Sequence, residues 1–186
     1  MANVTKKSIA NEILLLPIRA VTLWDGVDAV TLFQLESESS YQTTPIVRTN
    51  DEGMPIKVAE KLTATFYIPF NHFEEWWMGK IEGMKNKAIQ VIIALGQTET
   101  WPHFSDTTLN DNLIAKAINS SDDSLGGYIQ TDMNAYITAE WESVEFRPRM
   151  ILRVTAIMRN LYNNLHLSST ATATASNYLL KSTLYA

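Results

Sequence analysis

The chain has 186 residues, 46% of them hydrophobic and 10% aromatic, with a formal net charge of −5. That length and apolar content fit one folded domain with extensions and exclude a wholly disordered chain. The mild negative charge, with no basic block, argues against a surface that grips nucleic acid through many phosphates. The absence of cysteine excludes disulfides, thiolate zinc sites and cysteine nucleophiles.

At the N-terminus, MANVTKKSIANEILLLPIRAV sets two lysines before a short apolar run, Ile13 to Leu16, that stops at Pro17 and Arg19. This run is too short for a secretory signal, and no segment reaches the ~20 apolar residues of a membrane span. A soluble protein folded in a reducing cytoplasm is expected, with no membrane partner. Residues 1–17 read as an N-terminal arm. Residues 18–24 and 29–35 are short strand candidates around Asp25-Gly26-Val27-Asp28, a hairpin signal. Residues 36–55 are polar, with Ile46 and Val47 as their one apolar pair, and predict a long loop with at most one short strand. Loops of that length are usually functional.

Over 57–68 the chain alternates, with Val58, Leu62, Ala64, Phe66 and Ile68 facing one way and Lys57, Lys61, Thr63 and Thr65 the other. Glu60 interrupts the apolar face. Pro69 ends this strand, and Asn71 with Glu74 has capping-box spacing for a helix near 72–87. Phe73, Trp76, Trp77, Ile81 and Met84 give that helix an apolar face. Residues 88–95 predict a buried strand, 109–118 a short helix, and Gly126-Gly127 a turn. Residues 135–141 alternate, and 146–159 alternate more clearly, with Pro148 marking an edge or bulge. The segment 167–186 reads as an extended C-terminal arm. The expected fold over 18–166 is mainly β, an antiparallel β-sandwich or barrel with one flanking amphipathic helix.

No motif carries catalysis. His72, His103 and His166 lie far apart, and no metalloprotease, hydrolase or phosphate-loop pattern is present. Asp51-Glu52, Glu74-Glu75 and Asp122-Asp123 are adjacent acids without a supporting oxygen cluster, and Glu140 with Glu142 shares one strand face with no pocket implied. A non-enzyme is expected, with no catalytic residue, metal or cofactor. Trp76, Trp77 and Trp101 open an alternative, a carbohydrate-binding β-sandwich module, although Trp76 falls in the helical core stripe. Arg147, Arg149, Arg153 and Arg159 form a row assigned to a subunit interface, where arginine is enriched. The alternatives are local ion pairs on an exposed sheet face and a nucleic-acid strip. Tyr178, Leu179, Leu180, Leu184 and Tyr185 end the C-terminal arm with more large apolar groups than water favours, and are assigned to the same kind of interface.

The segment order is a Trp-Asp-Gly hairpin (Leu23 to Ala29), a long polar stretch (36–55), a strand ending Phe66-Tyr67-Ile68-Pro69 before Asn71, and long alternating strands at 135–159. This layout resembles the tail-tube-like proteins of bacteriophages, including baseplate, neck and tail-ring relatives. The resemblance implies a virion structural protein that forms a homo-oligomeric ring beside neighbouring virion proteins. DNA would be passing cargo in the channel. It also implies an inter-ring role for the 36–55 segment, with Glu36, Glu38, Asp51 and Glu52 near its two ends.

Overall fold

The computed structural model describes residues 14–15, 17–33, 35–69, 75–96, 126–145 and 147–167. In chain order these form β1 (Ile18–Trp24), β2 (Ala29–Phe33), β3 (Ser40–Thr49), β4 (Pro55–Pro69), α1 (Glu75–Met84), β5 (Gln90–Gly96), β6 (Gly126–Gln130), β7 (Tyr136–Val144), β8 (Arg147–Met158), α2 (Leu161–Asn164) and β9 (Leu165–Leu167). Sheet A has five strands in the order β2-β1-β5-β6-β9, and sheet B has four in the order β3-β4-β8-β7. All neighbouring strands are antiparallel. The fold is therefore mainly β with a flanking helix, two facing sheets that do not close into a barrel.

The core lies between the sheets, and the strand period of two decides its membership. On β4, Leu62, Ala64, Phe66 and Ile68 point inward, and on β8 Met150, Leu152, Val154, Ala156 and Met158 do the same. Val21, Leu23, Val30, Leu32, Val91, Ile93, Leu95 and Ile129 meet them from sheet A, and Ile81 and Met84 of α1 join that cluster. Each fully buried side chain of this size contributes roughly 1.5–3 kcal/mol. The sheets differ in cover. Sheet B is buried on one face, so β4 and β8 alternate, whereas Ala20–Leu23, Ala29–Leu32 and Val91–Leu95 are buried without a break. Burial on both faces produces the continuous apolar runs AVTL and VIIAL in sheet A.

The chain passes from sheet A to sheet B at a corner after β6. Thr131 N–H donates to the Val91 carbonyl and Val91 N–H to Thr131 Oγ1, both at 2.9 Å. Ile89 and Ala135 then exchange both backbone bonds at 2.9 Å, carrying the ladder to the start of β7. Asn134 Nδ2 donates to the Ile157 carbonyl at 2.7 Å, fastening the corner to β8. Strands that change sheet at such bends are how sandwiches make corners.

Three expectations are corrected. The 36–55 stretch is not a loop, because Ser40–Thr49 is a ten-residue strand paired with β4 from Ser40↔Thr65 to Thr49↔Pro55. It lacks an apolar stripe because only Tyr41, Thr43 and Ile46 are half-buried and the other residues are exposed. Gly126-Gly127 is not a turn, for both residues lie in β6 opposite Gly96 and Leu95. The helix ends at Met84 rather than at 87, and the proposed cap at Asn71 and Glu74 lies outside the described residues, as does the 109–118 helix. Pro148 fits its reading: it pairs with Ser143 of β7, while the β4 ladder stops at Arg149.

The β1–β2 turn is set by Asp25 and Gly26. Asp25 Oδ1 accepts the backbone N–H of Val27 at 3.0 Å and of Asp28 at 2.8 Å, and Gly26 has φ +98, which a side chain would strain. Burial pushes the Asp25 carboxyl up, but those two N–H groups and the Lys87 ammonium outweigh it and hold it below its ordinary 3.8. A carboxyl depressed on folding stabilises the fold above its unfolded value, and that stability is lost as pH falls through the folded value. Asp25→Asn should therefore flatten the loss of stability below pH 3.8. At pH 7 it should cost less than Asp25→Ala, which removes the acceptor of both turn N–H groups. Urea unfolding across pH checks both.

Candidate functional site

The strand period that fills the core also decides what sheet B presents to solvent. Its outer face carries Thr63, Thr65 and Tyr67 of β4, Arg149, Ile151 and Arg153 of β8, and Tyr136, Thr138, Glu140 and Glu142 of β7, by the register of the three strands. Arg149 is the centre of its charge. Its Nε and Nη2 reach Glu142 Oε1 at 2.6 and 2.5 Å, while Nη1 donates to Glu36 Oε2 at 2.6 Å and Glu38 Oε2 at 2.9 Å. The guanidinium also lies 4.3 Å from the centroid of the Tyr67 ring. Hydrogen bonds to Glu36 and then Glu142 push its pKa up and keep it charged. Arg153 pairs with Glu140 at 2.5 Å, but both side chains are about half exposed, so that pair contributes little.

Glu36 and Glu38 belong to the short connection from sheet A to sheet B. The same connection is held by Glu36 N–H to the Tyr67 carbonyl at 2.9 Å and by Tyr67 N–H to Ser39 Oγ at 3.0 Å. Arg149 thus clamps the crossover to β4 and β7 and sets where β3 begins. The arginine row divides accordingly. Arg149 and Arg153 use their donors within their own chain, whereas Arg147 and Arg159 are exposed with no ion pair among the described residues.

Beyond Glu60 the pair of β3 and β4 leaves the body. The β8 ladder stops at Glu60↔Met158, so Pro55–Ala59 pair only with β3. This segment forms a two-stranded arm, with a register shift between Ile46 and Val47. Val47 is 52%, Met54 60%, Ile56 46% and Val58 40% exposed, so the arm shows apolar side chains to water. Asn50 builds its tip: its N–H donates to the Met54 carbonyl at 2.8 Å, and its Oδ1 accepts Met54 N–H at 2.7 Å and Glu52 N–H at 3.1 Å. Gly53 supplies φ +81 there. Glu60 anchors the base, accepting Lys57 Nζ on one oxygen and Leu161 N–H at 2.6 Å on the other. The interruption that Glu60 makes in the apolar face is thus the point where core ends and arm begins.

A groove of about 390 Å³ opens below the β3 edge, between Leu14, Ile18, Leu161 and Ser39–Thr43. Tyr41 Oη donates to the Leu14 carbonyl at 3.0 Å, and burial pushes its phenol up to about 12. The groove brings together no acid–base pair.

The expected site residues fall in separate places. Glu36 and Glu38 hold Arg149, while Asp51 and Glu52 sit at the arm tip, so they are not the ends of one loop. His72, His103, Trp101, Asp122 and Asp123 lie outside the described residues, as do Tyr178, Leu179, Leu180, Leu184 and Tyr185; the side chains of Trp76, Trp77 and His166 do too. Among the described residues no three His, Asp or Glu side chains group as metal ligands, and no helix is long and apolar enough to cross a membrane. No family model matches the chain, and no curated protein matches its sequence.

The clamp is testable by substitution. Arg149→Ala leaves three carboxylates facing one another and should lower the melting temperature clearly more than Arg153→Ala, which breaks one exposed pair. Arg149→Lys keeps the charge but loses the planar fork and should fall between them. Thermal melts of the three variants at one ionic strength decide the order.

Proposed function

We propose that the chain is a structural subunit that assembles with copies of itself into a ring. The observation that carries this reading is the edge geometry of sheet B. Its outermost strands, β3 and β7, run in opposite directions, and neither has a ladder partner on its outer side among the described residues. The β7 edge of one copy laid beside the β3 edge of the next therefore continues the antiparallel pattern without turning the subunit over. Such a head-to-tail contact closes into a ring when the rotation between copies divides a full turn. Unpaired edges are templates for pairing. Pro45 withdraws one donor from β3, which favours pairing through Ser40–Thr44, below the arm.

The resemblance in layout to tail-tube-like proteins gives the setting: a bacteriophage tail, neck or baseplate ring around a DNA channel, with neighbouring virion proteins above and below. The charge of sheet B supports that setting. Arg149 and Arg153 face glutamates of the same chain, so on a face turned to passing DNA those two cations are already neutralised.

Multi-angle light scattering over a concentration series, with negative-stain microscopy, should show a closed oligomer. A proline at Gln42 or at Thr43 tests the edge. Neighbouring residues of a strand point their N–H groups to opposite sides. One of the two variants should thus keep the melting temperature and lose the oligomer. A chain that stays monomeric at every concentration overturns the reading.

A further inference from the structure

The groove below the β3 edge opens to water along the same stretch of strand that the ring contact uses. Leu14, Ile18, Tyr41 and Leu161 line it, and each is half-buried and packed against the core. Ser39–Thr43 run beside them, on an edge with no ladder partner on its outer side among the described residues. An apolar floor next to an open strand edge suits an extended peptide, because the edge supplies backbone hydrogen bonds and the floor takes alternate side chains. The described chain stops at Leu167, and the register places that end close by. Ile18 stands opposite Leu95, Leu95 opposite Gly127, and Gly127 opposite Leu167. Leu167 is therefore level with Ile18 and three strand spacings away, roughly 14 Å.

We propose that the chain's own C-terminal segment occupies this groove and guards the β3 edge until a neighbouring copy displaces it. This rests on the reading of β3 as a ring contact and adds the regulation of that contact. The stretch Ser168–Asn177 holds only Ser, Thr, Ala and Asn, and Tyr178-Leu179-Leu180 follows it. Ten residues reach up to about 33 Å when extended, well over the distance from Leu167 to Ile18. On an extended path Tyr178 and Leu180 share one face. They cover Ile18, Tyr41 and Leu161 in the groove of about 390 Å³, while their backbone pairs with Ser40–Thr44. Tethering decides the competition for the edge. A segment on a short linker acts at an effective concentration on the order of millimolar, whereas a second copy must bring its β7 edge from solution. The edge is thereby closed in dilute protein and opens to a neighbour when copies are concentrated.

The chain has no cysteine, which makes a crosslink specific. Leu179→Cys is combined in the full chain with Ser40→Cys, Gln42→Cys or Thr44→Cys, whose side chains point away from the groove, and each dilute chain is oxidised with oxidised glutathione. At least one pair should close a disulfide within the monomer. Adding Tyr178→Asp and Leu180→Asp should reduce its yield by about tenfold or more, since two apolar side chains then leave the groove. In the chain without added cysteines, the same two aspartates should lower the concentration at which light scattering detects the oligomer, again by about tenfold or more. A disulfide between chains, or none from any of the three pairs, overturns the docking and leaves the ring reading standing. A disulfide indifferent to the aspartates overturns the assignment of Tyr178 and Leu180. An oligomer that the aspartates weaken or leave unchanged overturns the guarding role. An unmodified chain that is monomeric at every concentration, with the disulfide closed within it, overturns the ring reading and keeps the docking.

Discussion

The inward row Leu62, Ala64, Phe66 and Ile68 of β4, packed beside Leu152, Val154 and Ala156 of β8, fixes what the rest of the molecule presents. A strand has only two faces, and a slip of one residue would bring Thr63 and Thr65 into the core. With the row inside, Thr63, Thr65, Tyr67, Arg149 and Arg153 must lie outside. The clamp on Glu36, Glu38 and Glu142 follows from that register, because Arg149 stands opposite Glu142 and two register pairs from Tyr67, on the same face. The row also ends at a definite place. At Glu60 the inward position becomes a carboxylate held by Lys57 and by the first N–H of α2, and the two strands continue as an arm that no longer lies over a core.

How much of this the sequence discloses depends on burial. The hairpin at Asp25-Gly26, the alternation of β4 and β8 and the uninterrupted strand β5 are legible because water and core sort their side chains in a regular period. The same logic hides β3. SYQTTPIVRT is rich in β-branched residues but mostly polar, since only Tyr41, Thr43 and Ile46 are half-buried and the rest is exposed, so burial writes no clear period into it. Asn50-Asp51-Glu52-Gly53 carries a turn signal, but without a legible strand before it that signal does not specify a hairpin. The Arg149 clamp was hidden for another reason. Its partners come from one connection and a neighbouring strand, 113, 111 and 7 residues away, and sequence spacing alone cannot bring such residues together.

The clamp also bears on the charge of the surface. Three carboxylates around one guanidinium would repel one another strongly if it left, so the arginine is better understood as holding the crossover than as displaying positive charge. Arg153 shares the face but meets only Glu140, and exposure leaves that pair weak. The middle of what looks like a basic strip in the sequence, Arg149 and Arg153, is neutralised in the fold by glutamates. An arginine row on a strand is therefore a poor guide to nucleic-acid binding unless the residues opposite it in the sheet are known.

An exposed two-stranded ribbon is marginal alone, and apolar side chains on it add a risk of unwanted pairing. This arm carries features that limit the risk. Pro45 removes an edge donor on β3, Pro55 starts β4 without one, Arg48 and Lys57 place charge among the apolar groups, and a register shift bends the ladder near its base. These features oppose indiscriminate sheet growth along the arm, and they leave its tip shaped by Asn50 and Gly53. Below the arm, from Ser40 to Thr44, the same edge carries neither proline nor charge. Protection is thus concentrated where the ribbon stands alone and relaxed where sheet B is backed by its core.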